Sequence, residues 1–171
     1  MMILISGSNG SGKSLFAEKL AATADLPRYY IATMISQSDE NDKRIEKHRR
    51  QRAGLGFTTL ELPCHVGQAN VSLDSLVLLE DASNLLANLV FTEQGTVRDA
   101  LDEIEALRDK CRYLIVVTIS GLDGAAYDGE TADYIRSMEQ LNGYLLELAD
   151  AAVELVNGKP VMRKGDPYDL R

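Results

Sequence analysis

Residues 3–14 read Ile-Leu-Ile-Ser-Gly-Ser-Asn-Gly-Ser-Gly-Lys-Ser. The apolar run over residues 3–6 predicts a buried strand, and residues 13–22 predict a helix. Between them, residues 7–14 match G-x-x-x-x-G-K-[ST], in which successive backbone N–H groups surround phosphate oxygens. A glycine-rich turn without function is the alternative, but the flanking strand and helix favour phosphate binding. The predicted nucleotide-binding loop consists of Gly7, Ser8, Asn9, Gly10, Ser11, Gly12, Lys13 and Ser14.

Two side chains of this loop have predicted chemical roles. Lys13 can reach the β- and γ-phosphates of a nucleoside triphosphate, and the Ser14 hydroxyl can coordinate Mg²⁺. A second apolar run, residues 76–79, ends at Glu80 and Asp81, where a carboxylate holds the metal directly or through water. Neighbouring strand residues point to opposite faces, so the choice between the two acids stays open, with Glu80 favoured. An acidic strand end that faces solvent is the alternative.

The rest of the chain alternates short apolar runs with helical stretches. Strands are predicted at residues 29–32, 58–62, 76–79 and 113–117, helices at 39–53, 97–110 and 131–149, and a hairpin at 152–163 around Asn157-Gly158. Alternating strands and helices predict an α/β fold with a mostly parallel sheet, helices on both faces and an antiparallel edge hairpin. Because no repeat or linker divides the chain, we expect a single domain over residues 1–171 with the P-loop NTPase (RecA-like) fold.

Composition excludes several classes of protein. The 171 residues are 45% hydrophobic and 26% charged, which excludes a disordered chain, and the net charge of −8 disfavours nucleic-acid binding. The two cysteines, Cys64 and Cys111, form neither a metal-ligand spacing nor a disulfide framework, so we expect reduced thiols. No apolar run approaches roughly 18 residues and no secretory signal is present, so we expect a cytoplasmic protein without a membrane span.

A basic segment contrasts with this acidic chain. Residues 43–52 read Lys-Arg-Ile-Glu-Lys-His-Arg-Arg-Gln-Arg, and in a helix Arg44, His48 and Arg52 share one face. The segment can be a solvated helix, a phosphate-binding patch, or the site of a His48 nucleophile. Neighbouring positive charge disfavours protonation of the imidazole and would stabilise the oxyanions of a phosphate under attack. The charge pattern alone favours the solvated helix.

Several stretches together carry a family resemblance. They are residues 1–7 with the loop that follows, Tyr-Ile-Ala-Thr at 30–33, Arg-Ile-x-x-His-Arg-x-x-Arg at 44–52, Phe-x-Thr-x-Glu-x-Pro at 57–63, Leu-Leu-Glu at 78–80 and Asn-Leu at 88–89. With them the chain resembles the bifunctional adenosylcobinamide kinase / adenosylcobinamide-phosphate guanylyltransferase family of cobalamin synthesis. The resemblance is good over residues 1 to 92. The resemblance is weak after residue 92. Residues 119–122 stand where the family usually has Asn-Glu-Val-Gly, and Ser137 and Gly143 stand where it has Asp and Gln.

The resemblance implies two reactions. The kinase phosphorylates the aminopropanol hydroxyl of adenosylcobinamide with a nucleoside triphosphate. The transferase uses a histidine, here His48, to attack the α-phosphate of GTP, and passes the GMP to adenosylcobinamide phosphate. Beyond the loop, the resemblance places these residues in the nucleotide site: Ala32, Thr33, Arg49, Arg50, Gln51, Arg52, Glu61 and Glu80. The resemblance also implies a corrinoid substrate and a homotrimer. The polar helix predicted over residues 39–53 would offer a contact between subunits of that trimer.

Two other functions agree with the residues. One is a P-loop kinase that acts on another small hydroxyl compound, in which His48 serves only as phosphate-binding surface. The altered residues 119–143 favour this alternative. The other is a non-catalytic protein that binds GTP or ATP. The sequence does not distinguish GTP from ATP as the phosphoryl donor.

Overall fold

In the described part of the chain, seven strands and five α-helices follow one another largely in alternation. The computed structural model describes residues 1–36 and 39–170, without the side chains of Glu40, Arg44 and Gln51. The strands are β1 (Met2–Gly7), β2 (Arg28–Ala32), β3 (Phe57–Glu61), β4 (Leu76–Glu80), β5 (Tyr113–Ile119), β6 (Ala151–Val156) and β7 (Lys159–Lys164). The helices are α1 (Lys13–Ala21), α2 (Asp39–Arg52), α3 (Ala82–Glu93), α4 (Val97–Arg108) and α5 (Gly129–Leu148), with 3₁₀ turns at Val66–Gln68 and Gly124–Ala126.

The strands form one sheet in the order β3-β2-β4-β5-β1-β6-β7. Neighbouring strands are parallel except β6 and β7, which pair antiparallel as the edge hairpin. All five residues of β4 are buried, as its uninterrupted apolar run predicts for a strand covered on both faces. The predicted fold class is confirmed.

Apolar side chains of β1 alternate between two cores. Ile3 and Ile5 pack on the face covered by α1, whereas Met2 and Leu4 pack on the face covered by α3, α4 and α5. On that second face, α5 contributes a stripe of buried side chains at helical spacing: Ile135, Met138, Leu141 and Leu145. Burial on both faces makes the sheet a rigid platform for the loops at its ends.

Two helix starts are set by capping side chains. The Thr96 hydroxyl and the Asp99 carboxylate form a capping box at the start of α4, where the sequence predicts the cap. We predicted no structure type for residues 85–91, which lie within α3. The signal was Asp81, whose carboxylate accepts a hydrogen bond from the Asn84 backbone N–H at 2.7 Å. None of the described helices has the length and apolar character needed to cross a bilayer.

The carboxyl ends of β1, β2 and β4 meet at one edge of the sheet. The phosphate loop follows β1, Thr33 follows β2, and Asp81 follows β4. Ala32 pairs with Glu80 across β2 and β4, while Gly7 pairs with Ile119 across β1 and β5. Ligands of open α/β sheets bind at such an edge, so the fold brings the predicted phosphate loop and the predicted metal ligands together.

Candidate nucleotide and transfer site

The loop after β1 has the conformation of an anion-binding loop. Gly10 and Gly12 have φ angles of +74° and +87°, which side chains with a Cβ rarely adopt. A Cβ on Gly7 would lie 2.5 Å from the Ser11 Oγ and 3.0 Å from the Leu155 carbonyl oxygen, so the close turn leaves little room for a side chain there. The loop ends at the N-terminus of α1, where the helix dipole favours an anion. Lys13 Nζ lies 3.4 Å from the carbonyl oxygen of Ser8, so the ammonium is folded over this loop.

Ser14 and Glu80 form a short contact beside the loop. The Ser14 hydroxyl donates to Glu80 Oε1 at 2.5 Å, and among the described residues the buried Glu80 Oε2 has no hydrogen-bond partner. Burial, reinforced by the charge of Asp81, raises the pKa of the Glu80 carboxyl from 4.5 to about 8. A bound cation would supply the missing partner of Oε2 and favour the charged carboxylate.

These donors fit Mg²⁺, which prefers oxygen ligands. Within residues 1–36 and 39–170, no group of three or more His, Cys, Asp or Glu side chains is arranged to hold a metal ion. A magnesium ion at Ser14 and Glu80 would therefore share its ligands with nucleotide phosphates and water, as it does in many phosphoryl-transfer enzymes. Asp81 lines the same cleft, but its Oδ1 already accepts hydrogen bonds from the Ser83 hydroxyl and the Asn84 N–H. This supports Glu80 as the preferred ligand.

Thr33 organises the turn after β4. Its hydroxyl accepts a hydrogen bond from the Asp81 N–H at 2.8 Å and lies 2.9 Å from the Asp81 carbonyl oxygen. The residue is fully buried and is not part of the cleft lining, so its side chain does not take the nucleotide-lining position that the resemblance implied. Its contacts instead hold the segment that carries Glu80 and Asp81.

Replacing Thr33 with valine keeps the side-chain shape and removes this hydroxyl. We expect the change to lower the free energy of unfolding by about 1–3 kcal/mol, because the Asp81 N–H loses its partner in a partly buried place. Urea unfolding measures this loss. The matched control is Thr23→Val, since Thr23 is exposed and its hydroxyl donates only to the Leu20 carbonyl. Equal losses in both variants would contradict the role given to Thr33.

A cleft of about 1040 Å³ joins the phosphate loop to α2. It brings together these predicted site residues: Asn9, Gly10, Gly12, Lys13, Ser14, Ala32, His48, Arg49, Arg52, Glu61, Glu80 and Asp81. Gly7, Ser8 and Ser11 belong to the loop but not to the cleft lining. The predicted contribution of the Gln51 side chain lies outside the described residues.

The polar helix α2 forms one wall of this cleft. Residues Asp42, Ile45, Glu46 and Arg49 follow the spacing of one helix face and line the cleft, together with His48, which is half-buried. The helix is therefore more than the solvated surface that its charge pattern favoured.

The arginines of α2 differ in position. The Arg49 guanidinium pairs with the Glu61 carboxylate at 2.7 Å at the rim of the cleft. Arg50, predicted to bind nucleotide, is largely exposed, pairs with Glu46 at 2.8 Å and does not line the cleft. Both ion pairs are exposed to solvent and contribute little to stability, so either arginine can readily exchange its carboxylate for another anionic partner.

Among the described side chains of the basic segment, Arg52 is the buried one. It is 8% exposed, its guanidinium carbon lies 4.0 Å from the centroid of the Tyr30 ring, and its Nε donates to the Thr59 hydroxyl at 3.3 Å. Near it lies Glu18 on α1, which is fully buried and whose carboxylate oxygens have no hydrogen-bond partner in the described part of the chain. The sequence held one signal for Glu18, its position one helical turn after Ser14.

Glu18 makes the stability of the fold depend on pH. Burial raises the pKa of its carboxyl from 4.5 to about 7, although the charge of Arg52 acts in the opposite direction. The folded chain then binds this proton more tightly than the unfolded chain, so the associated stability is complete below pH 4.5 and is lost as the pH rises through 7.

We expect Glu18→Gln to be more stable than the wild type at pH 8 by about 2–3 kcal/mol, with most of that gain absent at pH 4.5. Urea unfolding at the two pH values measures the difference. A gain of equal size at both values would show that Glu18 does not titrate in this range.

His65, the other histidine, lies away from the cleft. Its Nε2 is 3.3 Å from Glu93 Oε1 and its Nδ1 is 3.4 Å from Glu103 Oε1. These acids belong to α3 and α4, so the contacts arise from the fold and not from sequence spacing. His48 is therefore the histidine of the candidate site.

A family model described as cobinamide kinase / cobinamide phosphate guanyltransferase matches residues 3–162. The chain belongs to this family. It is therefore a transferase, and the match includes residues 119–143, where the sequence departs from the family's usual motifs.

Curated relatives are similar over most of their length. The chain is 29% identical to the bifunctional adenosylcobalamin biosynthesis protein CobP of Pseudomonas aeruginosa, over 98% of this chain and 99% of the relative. It is 30% identical to the bifunctional adenosylcobalamin biosynthesis protein CobU of Salmonella typhimurium, over 92% of this chain and 97% of the relative. With CobU of Escherichia coli it shares 37% identity over 98 residues, which is 56% of this chain and 53% of the relative.

Solved structures at low identity support the fold alone. A protein from Pyrococcus horikoshii OT3 superimposes with a TM-score of 0.53 at 10% identity and covers 96% of this chain and 86% of its own. An ATPase from a bacterial type III secretion system superimposes with a TM-score of 0.51 at 12% identity. The match covers 91% of this chain and 52% of the ATPase chain. Both superpositions agree with the predicted fold class.

Proposed function

We propose that this chain phosphorylates adenosylcobinamide and transfers GMP from GTP to adenosylcobinamide phosphate through a guanylyl group on His48. One observation carries the proposal: the phosphate loop, the Glu80 carboxylate and His48 line the same cleft. Its volume of about 1040 Å³ is at the upper end for small-molecule sites and suits a nucleotide together with part of a larger acceptor.

In the kinase reaction, the loop N–H groups and Lys13 hold the β- and γ-phosphates. The aminopropanol hydroxyl oxygen of the corrinoid attacks the γ-phosphorus, the bond to the bridging oxygen breaks, and the nucleoside diphosphate leaves with that electron pair. The hydroxyl proton is released to water. Mg²⁺ at Ser14 and Glu80, with Asp81 as the alternative ligand, would neutralise charge on the phosphates. Lys13 stabilises the negative charge that accumulates on the leaving oxygens.

In the transferase reaction, a ring nitrogen of His48 attacks the α-phosphorus of GTP. A nitrogen–phosphorus bond forms while the bond to pyrophosphate breaks, and pyrophosphate leaves with the electron pair. A phosphate oxygen of adenosylcobinamide phosphate then attacks the same phosphorus and releases the imidazole. Arg49 and Arg52 line the cleft with His48, and in this proposal they stabilise the charged oxygens of both transfers.

Radiolabelled GTP tests the transferase proposal. With Mg²⁺ present, GTP labelled at the α-phosphate should leave about one label per chain, labile in acid and stable in alkali as expected for a phosphoramidate, with release of pyrophosphate. GTP labelled at the γ-phosphate should leave none. Absence of α-label with every divalent metal tried, or a label that survives acid, would contradict a guanylyl-histidine.

The same γ-labelled GTP and γ-labelled ATP test the kinase proposal. Each is incubated with adenosylcobinamide and Mg²⁺, and transfer of the label to the corrinoid is expected. A comparison of the two rates determines the preferred donor. Turnover that ignores cobinamide and responds to another small alcohol would identify a different kinase.

We also propose that the chain assembles as a homotrimer, which the resemblance implies. Sedimentation equilibrium should then give a mass about three times the 18.8 kDa of one chain. A monomer at all concentrations would contradict this assembly without affecting the chemistry proposed for the cleft.

A further inference from the structure

A single side-chain amide on α3 holds the ends of two strands beside the cleft. The Asn88 Nδ2 group donates to the Thr33 carbonyl oxygen at 2.8 Å and to the Pro63 carbonyl oxygen at 2.8 Å. An amide nitrogen carries two hydrogens, so both are used. The two carbonyl groups lie just beyond β2 and β3, where the amide takes the place of a backbone N–H of the sheet. Asn88 takes no chemical part in either proposed reaction.

The first of these strand ends leads into α2. Residues 33–36 continue the chain after β2, and the side chains of α2 contact this segment. The Asn41 amide donates to the Ile35 carbonyl oxygen at 3.0 Å. The Ser36 hydroxyl, which belongs to a residue of the cleft lining, donates to the Asp42 carboxylate. The first turn of α2 is therefore fixed to the strand end at Thr33.

The second strand end belongs to β3, which contacts the last turns of α2. The Arg49 guanidinium pairs with the Glu61 carboxylate at 2.7 Å. The Arg52 Nε donates to the Thr59 hydroxyl at 3.3 Å. As the edge strand, β3 pairs with β2 on one side, so the contact of Pro63 with α3 supports its end from a second direction. Both ends of α2 are thus attached to strands whose ends one amide holds.

The helix that carries Asn88 begins at the predicted metal ligands. α3 starts at Ala82, directly after Glu80 and Asp81, and the Asp81 carboxylate caps it. His48 lies on α2, between the two attached ends of that helix. The contacts of Asn88 therefore join the cleft wall that carries His48 to the part of the cleft that carries Glu80.

We propose that Asn88 is a positioning residue, which holds both anchors of α2 so that the His48 imidazole meets the α-phosphorus of a nucleotide bound at the phosphate loop. The inference rests on the proposed guanylyl transfer. Attack requires the reacting atoms about 3–3.5 Å apart and aligned, and a misplacement of about 1 Å can slow a reaction about a hundredfold. The kinase reaction depends on groups of the loop, α1 and β4, so it should tolerate a less firmly held α2.

Asn88→Leu tests the inference, because leucine has nearly the shape of asparagine and donates no hydrogen bond. In single-turnover guanylylation with α-labelled GTP, we expect the maximal rate to fall about ten- to hundredfold, while the GTP concentration at half-maximal rate changes less than about threefold. Transfer of γ-label to adenosylcobinamide by the same preparation should stay within about threefold of the wild type. A merely structural role would lower both activities by one factor, because only the folded fraction would change.

Amide hydrogen exchange measures the attachment of α2 without any catalysis. In Asn88→Leu, the amides of residues 39–61 should exchange at least about fivefold faster than in the wild type, with those of α5 unchanged. If the leucine variant does not fold, Asn88→Ser takes its place in both measurements. Serine is small, and its one hydroxyl hydrogen cannot bond both carbonyl groups.

The matched control is Asn142→Leu, the same chemical change on α5. The Asn142 Nδ2 group donates to the Ile119 carbonyl oxygen at 2.8 Å, so it holds the end of β5 rather than the ends of β2 and β3. This variant should not lower guanylylation relative to kinase activity. The same selective loss in Asn142→Leu would overturn the inference, as would unchanged guanylylation or an equal loss of both activities in Asn88→Leu.

The proposed function and the role of Asn88 fail in different ways. A wild type that forms no label would contradict the guanylyl transfer itself. Unchanged exchange over residues 39–61 in Asn88→Leu would contradict the attachment of α2 by Asn88, whether or not the wild type is labelled.

Discussion

Replacing His48 with alanine is expected to lower guanylylation by at least about 10³-fold, because no other ring nitrogen lies in the described part of the cleft to accept the GMP group. The kinase reaction should be retained within about threefold. It depends on Lys13, Ser14 and Glu80, which belong to α1, the loop before it and β4, whereas His48 belongs to α2. Label from α-labelled GTP and transfer of γ-label to adenosylcobinamide measure the two activities in one preparation.

The control is His65→Ala, the only other histidine change that the chain offers. Because His65 contacts Glu93 and Glu103 outside the cleft, we expect full guanylylation in this variant and a modest loss of stability. Full labelling of His48→Ala would contradict the assignment. Loss of both activities in that variant would show that His48 is needed for nucleotide binding rather than for attack on phosphorus.

Replacing Lys13 with methionine is expected to slow both reactions by about 10²–10³-fold, because the same loop holds the triphosphate for each. In the kinase step Lys13 stabilises charge near the γ-phosphate, and in guanylylation it stabilises the departing pyrophosphate. Lys13 is 8% exposed and methionine preserves its apolar stem, so the fold should be retained. Initial rates of both transfers at saturating GTP measure the effect.

Lys19→Met is the matched control, since Lys19 lies on the same helix and is exposed. It should change neither rate by more than about twofold. A Lys13→Met variant that lost kinase activity and kept guanylylation would contradict a shared phosphate site. The pyrophosphate group of GTP would then bind elsewhere in the cleft.

The parts that local sequence determines were predictable. The phosphate loop needs only contiguous residues, and the buried strands β4 and β5 read as apolar runs because both faces are covered. The resemblance supplied His48 and Arg49, and the structure lines one cleft with both. The predictions of the loop conformation and of the strands succeeded because backbone conformation and periodic burial are properties of short segments, whereas the roles of His48 and Arg49 stay predictions.

Contacts between distant segments were not predictable in the same way. Thr33 was expected to line the nucleotide site, but its hydroxyl serves the Asp81 backbone 48 residues away. Arg50 was grouped with the other arginines of its segment, yet its position on the helix turns it toward solvent and Glu46. Glu18 was not predicted as a buried residue, because a single acid on a helix is expected at the surface until its burial is seen in the fold.

The way α2 is attached has a consequence for engineering and for divergence among relatives. The helix has one large apolar residue, Ile45, and its arginines reach Thr59 and Glu61 of the edge strand β3 through polar contacts. Residues 39–61 thus form a cassette at the margin of the sheet, joined to the rest of the chain through the pairing of β3 with β2 and the contact of Arg52 with Tyr30. Exchange of this cassette between relatives should transfer the guanylylation behaviour of the donor protein while leaving the melting temperature set by the recipient's own interior.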